Sequence, residues 1–481
     1  MRAGWMLLLL AGVAGHASAQ TAVGGGMPDT DRATCGHASP KLSLAACTRL
    51  INDKGAPADI RVLALRNRGY QFQLSGDLDR AIADYSALLK LGGPGGRDSA
   101  KLYVNRGLAY AQKHDADRAL ADYDAAVKLD PRLATAHINR AAIYMDRGDN
   151  HGAIADLDAA IGLQPKDAAL YVSRGAVYAH SGDVDDAIAD DTTAISLDNT
   201  NAMAWRNRGA AWRVKGDNAK AEADAAEAVR LDPTMAAAHA DLALSLQSAG
   251  EAEKAIAEFG KAIRLAPTDA EVIKARGDAY LAAGDRNSAI ADYTQAIGLD
   301  PKLTSAYNNR GVAWLELADC DKAIADFSAV IAMDPTEAPA WLDRGEARER
   351  SGDARGALVD FNEALRLAPT TEEALRQRAF LRQTAGEHEA AVSDYGALIS
   401  LLPTDGAAFR GRGFSELKLH RYDAAIADLT TAIGQYPADA LAYRFRSQAE
   451  AAEHELAKAS SDDAAAQRLG ARLPTIPHAE P

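Results

Sequence analysis

The chain has 481 residues and a formal charge of −14, from 53 basic and 67 acidic side chains. A net acidic chain is poorly suited to nucleic acid, because affinity for phosphates comes largely from Lys and Arg. An apolar fraction of 48% and a charged fraction of 25% are ordinary for a folded protein, and they exclude general disorder.

Residues 1–19 have the features of a secretory signal peptide. Arg2 supplies the positive n-region, residues 5–14 are apolar, and Ala17-Ser18-Ala19 is a small-residue cleavage site. The apolar stretch is about half the ~20 residues that a membrane-spanning helix needs, although an uncleaved anchor is the alternative. We therefore predict cleavage after Ala19, no stable membrane insertion, and a mature protein that is periplasmic or secreted.

The sequence matches itself when it is shifted by about 34 residues, so that Gly107 falls on Ala141 and Ala141 falls on Gly175. At this spacing one position is always small, and a second position is always alanine from Ala119 to Ala425. The small series is Gly107, Ala141, Gly175, Gly209, Ala243, Gly277, Gly311, Gly345, Ala379 and Gly413. Because these units stay in phase without an insertion, the pattern predicts a repeated structural unit.

Each unit is predicted to contain two helices. In the unit from Ala134, apolar residues at helical spacing predict a first helix over 135–147 and a second over 151–163. Gly148-Asp149 separates them, since glycine suits a helix end and aspartate caps the next helix. Pro165 cannot continue the second helix, so it ends the unit.

Two helices in a unit of about 34 residues, with Gly, Ala and Pro at these positions, resemble the tetratricopeptide repeat. Asn-Arg-Gly at 309–311, followed by Ala-Ile-Ala-Asp-Phe at 323–327, is similar to the bacterial form of the family. The resemblance covers 62–439 as eleven repeats, the first of which is lengthened around 92–96. It implies an all-α, right-handed superhelical solenoid of helix-turn-helix repeats, whose first helices line an inner groove.

The segments outside the repeats are short. We expect 20–61 to form an N-terminal cap with a degenerate helical hairpin, 440–470 a half-repeat and a capping helix, and 471–481 a disordered tail. None is long enough for a catalytic core, and no unrepeated cluster of acid, base or nucleophile is visible. The sequence therefore predicts no enzymatic activity, catalytic residues, metal or cofactor.

Cys35 and Cys47 both lie in the predicted cap, within one helical hairpin. In an oxidising compartment we expect them to form a disulfide that fastens the end of the array. Two free thiols are one alternative. A metal site that includes His37 is another, although it lacks a fourth ligand.

An arginine and an acidic residue recur 16 positions apart in almost every unit. The arginines are Arg68, Arg106, Arg140, Arg174, Arg208, Arg276, Arg310, Arg344, Arg378, Arg412 and Arg446. The acids are Asp84, Asp122, Asp156, Asp190, Asp224, Glu258, Asp292, Asp326, Asp360, Asp394 and Asp428. An active site is local, so we interpret this repeated pair as a structural ladder between helices. Exposed pairs contribute only ~0–1 kcal/mol each, which would make register their main role.

The position before this arginine often carries asparagine, and the resemblance places it on the inner groove. The series is Asn67, Asn105, Asn139, Asn207 and Asn309. Because a side-chain amide both donates and accepts hydrogen bonds, such a series could bind the backbone of an extended peptide. The alternative is that asparagine is only a tolerated polar residue of the motif.

Charge varies along the predicted groove. Acidic residues occur in the middle units, at Asp241, Glu271, Asp278, Glu316, Asp343, Glu346 and Glu349. Basic residues occur near the end, at Arg376, Arg410, Lys418 and Arg444. A partner with a basic centre and an acidic end would complement this pattern, although simple solvated faces are the alternative.

These features predict an exported protein that binds a protein or peptide ligand, and no nucleic acid, in its concave groove. The alternative is a structural scaffold or assembly factor of a cell-envelope or polysaccharide-secretion complex, with contacts through its ends or convex face. The residues predict neither the client nor the oligomeric state.

Overall fold

The computed structural model describes residues 29–35, 40–91 and 96–470. These residues form two compact units, which we call unit 1 (up to Glu251) and unit 2 (from Ala252). The predicted signal peptide at 1–19, most of the glycine-rich insertion and the predicted tail at 471–481 lie outside the described ranges.

Unit 1 contains thirteen helices among its described residues. They are α1 (Asp29–Thr34), α2 (Pro40–Asn52), α3 (Ala58–Leu74), α4 (Leu78–Lys90), α5 (Gly96–Gln112), α6 (Ala116–Leu129), α7 (Ala134–Arg147), α8 (Asn150–Leu163), α9 (Ala168–Ser181), α10 (Val184–Leu197), α11 (Ala202–Lys215), α12 (Asn218–Leu231) and α13 (Ala236–Ser248).

Unit 2 also contains thirteen helices in the part of the chain that the structure describes. They are α14 (Ala252–Leu265), α15 (Ala270–Ala282), α16 (Arg286–Leu299), α17 (Thr304–Glu316), α18 (Cys320–Met333), α19 (Ala338–Arg350), α20 (Ala354–Leu367), α21 (Glu372–Thr384), α22 (His388–Leu401), α23 (Gly406–Lys418), α24 (Tyr422–Gln435), α25 (Ala440–Ala452) and α26 (Leu456–Arg468). The predicted all-α fold is confirmed.

The boundaries of the helices follow local chemistry. The two helices predicted in the unit from Ala134 are confirmed as α7 and α8. Gly148, with φ of 74°, ends α7 in the left-handed conformation that glycine adopts without steric cost. The side chain of Asp149 then caps α8 by accepting a hydrogen bond of 3.0 Å from the Gly152 N–H.

The helices pack in sequence order. Within each unit, the two helices of a pair pack against each other, and the second helix packs against the first helix of the next pair. First helices of successive pairs also contact one another, as α5–α7, α9–α11 and α11–α13 in unit 1, and α15–α17, α17–α19, α21–α23 and α23–α25 in unit 2. We call the surface shared by the first helices of a unit its first-helix face.

The small residues of the repeat lie where the two helices of a pair approach closely. A Cβ atom built on Gly311 would lie 2.7 Å from the ring of Phe327, and one built on Gly345 would lie 2.6 Å from the ring of Phe361. Both distances are well inside van der Waals contact. The buried aromatic ring therefore occupies the space that the glycine leaves.

The predicted disulfide between Cys35 and Cys47 is confirmed, with a Cα–Cα distance of 4.8 Å. The bond joins the end of α1 to α2, and both cysteines are buried in a small core with Leu50 of α2 and with Ile60 and Ala64 of α3. The alternatives of free thiols and a metal site are wrong for this pair, since the sulfurs bond each other. The disulfide indicates an oxidising compartment.

The last helix of unit 2 presents a polar surface. Ser460 and Gln467 on α26 are exposed, at positions where α24 carries Ile426 and Ile433. A polar outer surface of this kind is typical of a terminal repeat. None of the helices in the described ranges combines the length and the apolar character that a membrane span requires.

The close approach at Gly311 gives a prediction with a matched control. We expect Gly311→Ala to destabilise unit 2 by about 1–3 kcal/mol, because the added methyl displaces the ring of Phe327. Gly298, in α16, has no neighbouring side chain within 4 Å of the position of a Cβ. Gly298→Ala should therefore stabilise the helix by up to ~1 kcal/mol. Urea unfolding followed by circular dichroism measures both shifts, and equal shifts of the same sign would contradict the packing argument.

Candidate binding face

The repeated arginine and acid form ion pairs between the two helices of a repeat. In each pair the guanidinium donates hydrogen bonds from Nε and Nη2 to both carboxylate oxygens, over 2.6–3.0 Å. The sequence interpretation missed Asp462, which pairs with Arg446. The structural ladder is confirmed by this geometry.

The ladder is buried, so the prediction of exposed pairs was wrong. In the eleven pairs the aspartate side chains are at most 11% exposed and the arginine side chains at most 27%. Removal of one partner from a buried pair costs about 3–5 kcal/mol, because the remaining charge stays desolvated. The ladder therefore contributes to stability as well as to register.

Most of these arginines also reach the preceding repeat. Nη1 of Arg310 donates to Oγ1 of Thr294 over 2.9 Å, and Nη1 of Arg140 donates to Oδ1 of Asp124 over 2.6 Å. Where this neighbour is glycine, at Gly260 and Gly396, the contact is lost. Aromatic rings lie near the guanidinium in most repeats, and in two of them a pair of rings does so, as Tyr103 and Tyr110 do for Arg106 at 5.5 and 5.9 Å.

The predicted asparagines lie on the first helices, beside the ladder, but their amides are used differently. Nδ2 of Asn67 donates to the main-chain carbonyl of Cys35 over 3.2 Å. Asn105 and Asn207 are half-buried and have no hydrogen-bond partner among the described residues. Asn139 is only 4% exposed, and its Nδ2 is buried without a partner.

Asn309 belongs to a polar network on the first-helix face of unit 2. Its Nδ2 donates to Oδ1 of Asp278 over 2.7 Å, and the Tyr293 hydroxyl donates to the same oxygen over 2.8 Å. Nζ of Lys274 lies 2.8 Å from the other oxygen of Asp278 and neutralises the carboxylate. The amide of Asn309 is therefore already satisfied within the protein.

The predicted basic end of the groove is largely neutralised. Arg376 pairs with Asp405 and Arg410 with Asp439, each over 2.7 Å, and Arg444 pairs with Asp463 over 3.3 Å. Asp405 and Asp439 cap the first helices of the following repeats. Arg376 and Arg410 thus connect successive first helices, which corrects the expectation of a free basic surface.

Most of the predicted acidic residues are neutralised as well. Four of the seven form ion pairs: Asp241 with Arg206 over 2.7 Å, Asp278 with Lys274, Glu316 with Arg286 over 2.6 Å, and Glu346 with Arg350 over 3.7 Å.

Two acidic residues on α19 differ from these because they are not neutralised by any cation that the structure describes. Within the described ranges, neither Asp343 nor Glu349 takes part in an ion pair. Burial, with the nearby carboxylates of Glu346 and Glu337, raises the pKa of Asp343 to about 6. Glu271, at the exposed start of α15, also forms no ion pair within these ranges, so the unpaired acidic residues of the face lie on two helices of unit 2.

Asp191 is a buried acid that the sequence interpretation missed. It is 1% exposed, and its Oδ1 has no partner. The same repeat position is apolar in the other repeats, at Tyr85, Tyr123, Leu157, Ala225, Phe259, Tyr293, Phe327, Phe361, Tyr395 and Leu429. Alignment of the repeats at this position was the signal that could have found it.

The environment of Asp191 opposes its ionisation. Burial, with the adjacent carboxylate of Asp190 and that of Asp224, raises the pKa of Asp191 to about 8, and the guanidinium of Arg208 offsets this only in part. A buried carboxylate without a matching cation is stable only in its protonated form. Unit 1 therefore holds a neutral acid in its core at neutral pH.

Comparisons with known families agree with the repeat pattern. A family model for the tetratricopeptide repeat matches residues 213–270, 274–338 and 315–371. A model described as the ETO1 C-terminal domain matches residues 80–207. No curated protein matches the chain significantly.

Three solved structures are similar to this chain. YrrB, described as a TPR protein with an unusual peptide-binding site, is 22% identical over 39% of this chain and 96% of its own, with a TM-score of 0.35. A tetratricopeptide repeat protein from Parabacteroides merdae is 21% identical over 49% of this chain and 93% of its own, with a TM-score of 0.37. The APC/C Cut9–Hcn1 structure is 16% identical over 85% of this chain and 93% of its own, with a TM-score of 0.39.

The repeat period, the helix pairs and the family match define the class of fold. The chain is a tetratricopeptide-repeat protein. Its repeats form a scaffold for interactions with other proteins.

Asp191 makes the stability of unit 1 depend on pH. The folded pKa of about 8 lies above the ordinary value of 3.8, so the proton stabilises the folded state fully below pH 3.8, and this stabilisation is lost as the pH rises through 8. Between these values we expect a loss of about 1.4 kcal/mol per pH unit.

The Asp191→Leu and Asp191→Asn variants remove this titration, and Asp191→Leu also restores the apolar side chain found at Leu157. Urea unfolding at several pH values should show that both variants are less sensitive to pH than the wild type. Equal pH dependence in all three proteins would contradict the assignment.

Proposed function

We propose that this protein binds an extended segment of another protein on the first-helix faces of its units. The single observation that carries the proposal is the buried amide of Asn139 on the first helix α7, whose Nδ2 lacks a hydrogen-bond partner. Burial of a polar group without a hydrogen bond costs about 1–3 kcal/mol. A bound segment that supplied an acceptor would recover this free energy.

Other residues of the faces support the proposal. Asn105 and Asn207 have half-buried side chains without internal partners among the described residues. In unit 2, Asp343 and Glu349 carry no ion pair within the described ranges, and Phe380 on the next first helix is 49% exposed. We omit from the proposed site the predicted residues that internal partners already satisfy, which are Asn67, Asn309, Arg376, Arg410 and Arg444.

We also propose that the protein works after export, in the periplasm or outside the cell, without catalysing a reaction. The predicted signal peptide at 1–19 supports export. The Cys35–Cys47 disulfide is consistent with it, because disulfides persist in oxidising compartments. The alternative of an envelope scaffold differs in the location of its interface.

Site-specific photocrosslinking tests the proposal. A photoreactive amino acid replaces Asn105 in unit 1 or Asp343 in unit 2, and the control position is Val359, which is exposed on the second helix α20. In cells that express the full chain, we expect one protein to be captured from position 105 or 343 and not from 359. Capture from position 359 alone would contradict the proposal and favour the alternative, an envelope scaffold that binds through its convex face.

A further inference from the structure

Two polar groups on α7 lack partners and lie on the same side of the helix. They are Nδ2 of Asn139 and Oδ1 of Asp146, and neither atom has a hydrogen-bond partner. Residues seven apart on a helix are separated by about 10.5 Å along the axis and differ by about 20° around it. One is a donor and the other an acceptor, so α7 carries two complementary unmet hydrogen-bonding groups.

Unit 2 shows which groups can pair with these two side chains, because the residues at the equivalent repeat positions there have partners. Asn309 and Glu316 on α17 occupy the repeat positions that Asn139 and Asp146 occupy on α7. Asn309 donates to the carboxylate of Asp278 on α15, and Glu316 pairs with the guanidinium of Arg286 at the start of α16. An oxygen acceptor and a cation therefore occupy these two positions in unit 2.

Unit 1 has lost both internal partners. Leu108 on α5 stands at the position of Asp278, and Ala116 at the start of α6 stands at the position of Arg286. Two substitutions thus account for both unpartnered atoms. Burial raises the pKa of Asp146, and the charge of His114 offsets this only in part.

The side chains at these positions on α5 favour one kind of hydrogen-bond acceptor on a ligand over another. In unit 2 the ammonium group of Lys274 neutralises Asp278, whereas unit 1 has the buried Val104 at that position. A carboxylate placed beside Val104 and Leu108 would be buried without a cation, which is costly. A neutral carbonyl oxygen fits better, and Asn67 already donates to a main-chain carbonyl in this way.

We propose that the seam between α5 and α7 binds an extended peptide segment that presents a main-chain carbonyl to Asn139 and a basic side chain to Asp146. An extended chain rises about 3.4 Å per residue, so the two groups lie about three residues apart in the segment. Both atoms are shielded from solvent in the free protein, so binding requires each side chain to turn toward the segment, which the broad χ2 torsions of Asn and Asp allow. This proposal rests on the proposed function and specifies its ligand in unit 1.

Peptide binding to the full chain tests the proposal. The probe is fluorescein-labelled Lys-Ala-Val-Ala-Val-Ala-Lys with blocked ends, which places a lysine three residues from the central carbonyl in either direction. We expect Asn139→Ala to weaken binding about fivefold, as for one hydrogen bond, and Asp146→Asn by about tenfold or more, as for a charged one. Fluorescence anisotropy measures both effects.

Two further variants separate ligand contacts from structural damage. Ala116→Arg supplies the internal cation of unit 2, so it should weaken binding while it stabilises unit 1 in urea. Asn309→Ala is the matched control in unit 2, because its amide is satisfied internally, and it should leave binding unchanged.

The inference is overturned if the probe fails to bind at millimolar concentration, or if Asn139→Ala, Asp146→Asn and Ala116→Arg bind it as the wild type does. Either result combined with crosslinking from position 105 would leave the proposed function intact and contradict only this seam. Failure of crosslinking from both faces would contradict the proposed function itself.

Discussion

A buried ion pair between an arginine on the first helix and an aspartate on the second recurs through both units. Two hydrogen bonds fix the guanidinium against its own second helix, and in most repeats a third joins it to the preceding second helix. Charges that leave water at a cost are stable only when their partners are well placed. This pair therefore fixes the distance and the register of three helices at once, while glycine and aromatic side chains fill the space between them.

The binding face depends on this constraint. The asparagine positions directly precede the ladder arginines, so each first helix presents them at a fixed orientation. The helices α7 and α17 occupy equivalent repeat positions, yet they differ in what they can bind. The difference lies in four side chains of unit 1, Val104, Leu108, Ala116 and Asp146, against Lys274, Asp278, Arg286 and Glu316 of unit 2. At these positions unit 2 pairs Asn309 and Glu316 internally, whereas unit 1 leaves Nδ2 of Asn139 and Oδ1 of Asp146 without partners.

Much of the fold was predictable because its signals are local and repeated. The repeat period, the glycine after the first helix and the aspartate that caps the second are all visible in the sequence, and the structure confirms α7 and α8. The disulfide was predictable because Cys35 and Cys47 share the cap and the predicted compartment is oxidising. These features need no knowledge of contacts between distant residues.

The electrostatics were less predictable because they depend on neighbours in space. Arg376 and Arg410 were expected to be free, but each pairs with a cap residue of the following repeat, at a spacing that differs from that of the ladder. The burial of the ladder depends on packing on every side, which one repeat does not show. Alignment of the repeats alone could have identified Asp191 as unusual. That Asp146 lacks a partner was recognised only by comparison with the ion pair between Glu316 and Arg286 in the structure.

The central claim, that a ladder arginine holds three helices together, is tested most directly by hydrogen–deuterium exchange on Arg310→Ala. The guanidinium lies on α17 and bonds Asp326 on α18 and Thr294 on α16. We predict faster exchange in all three helices, and no change for Arg366→Ala, whose ion pair with Glu363 has its arginine side chain 63% exposed. Unchanged exchange, or an increase confined to α17, would contradict the account.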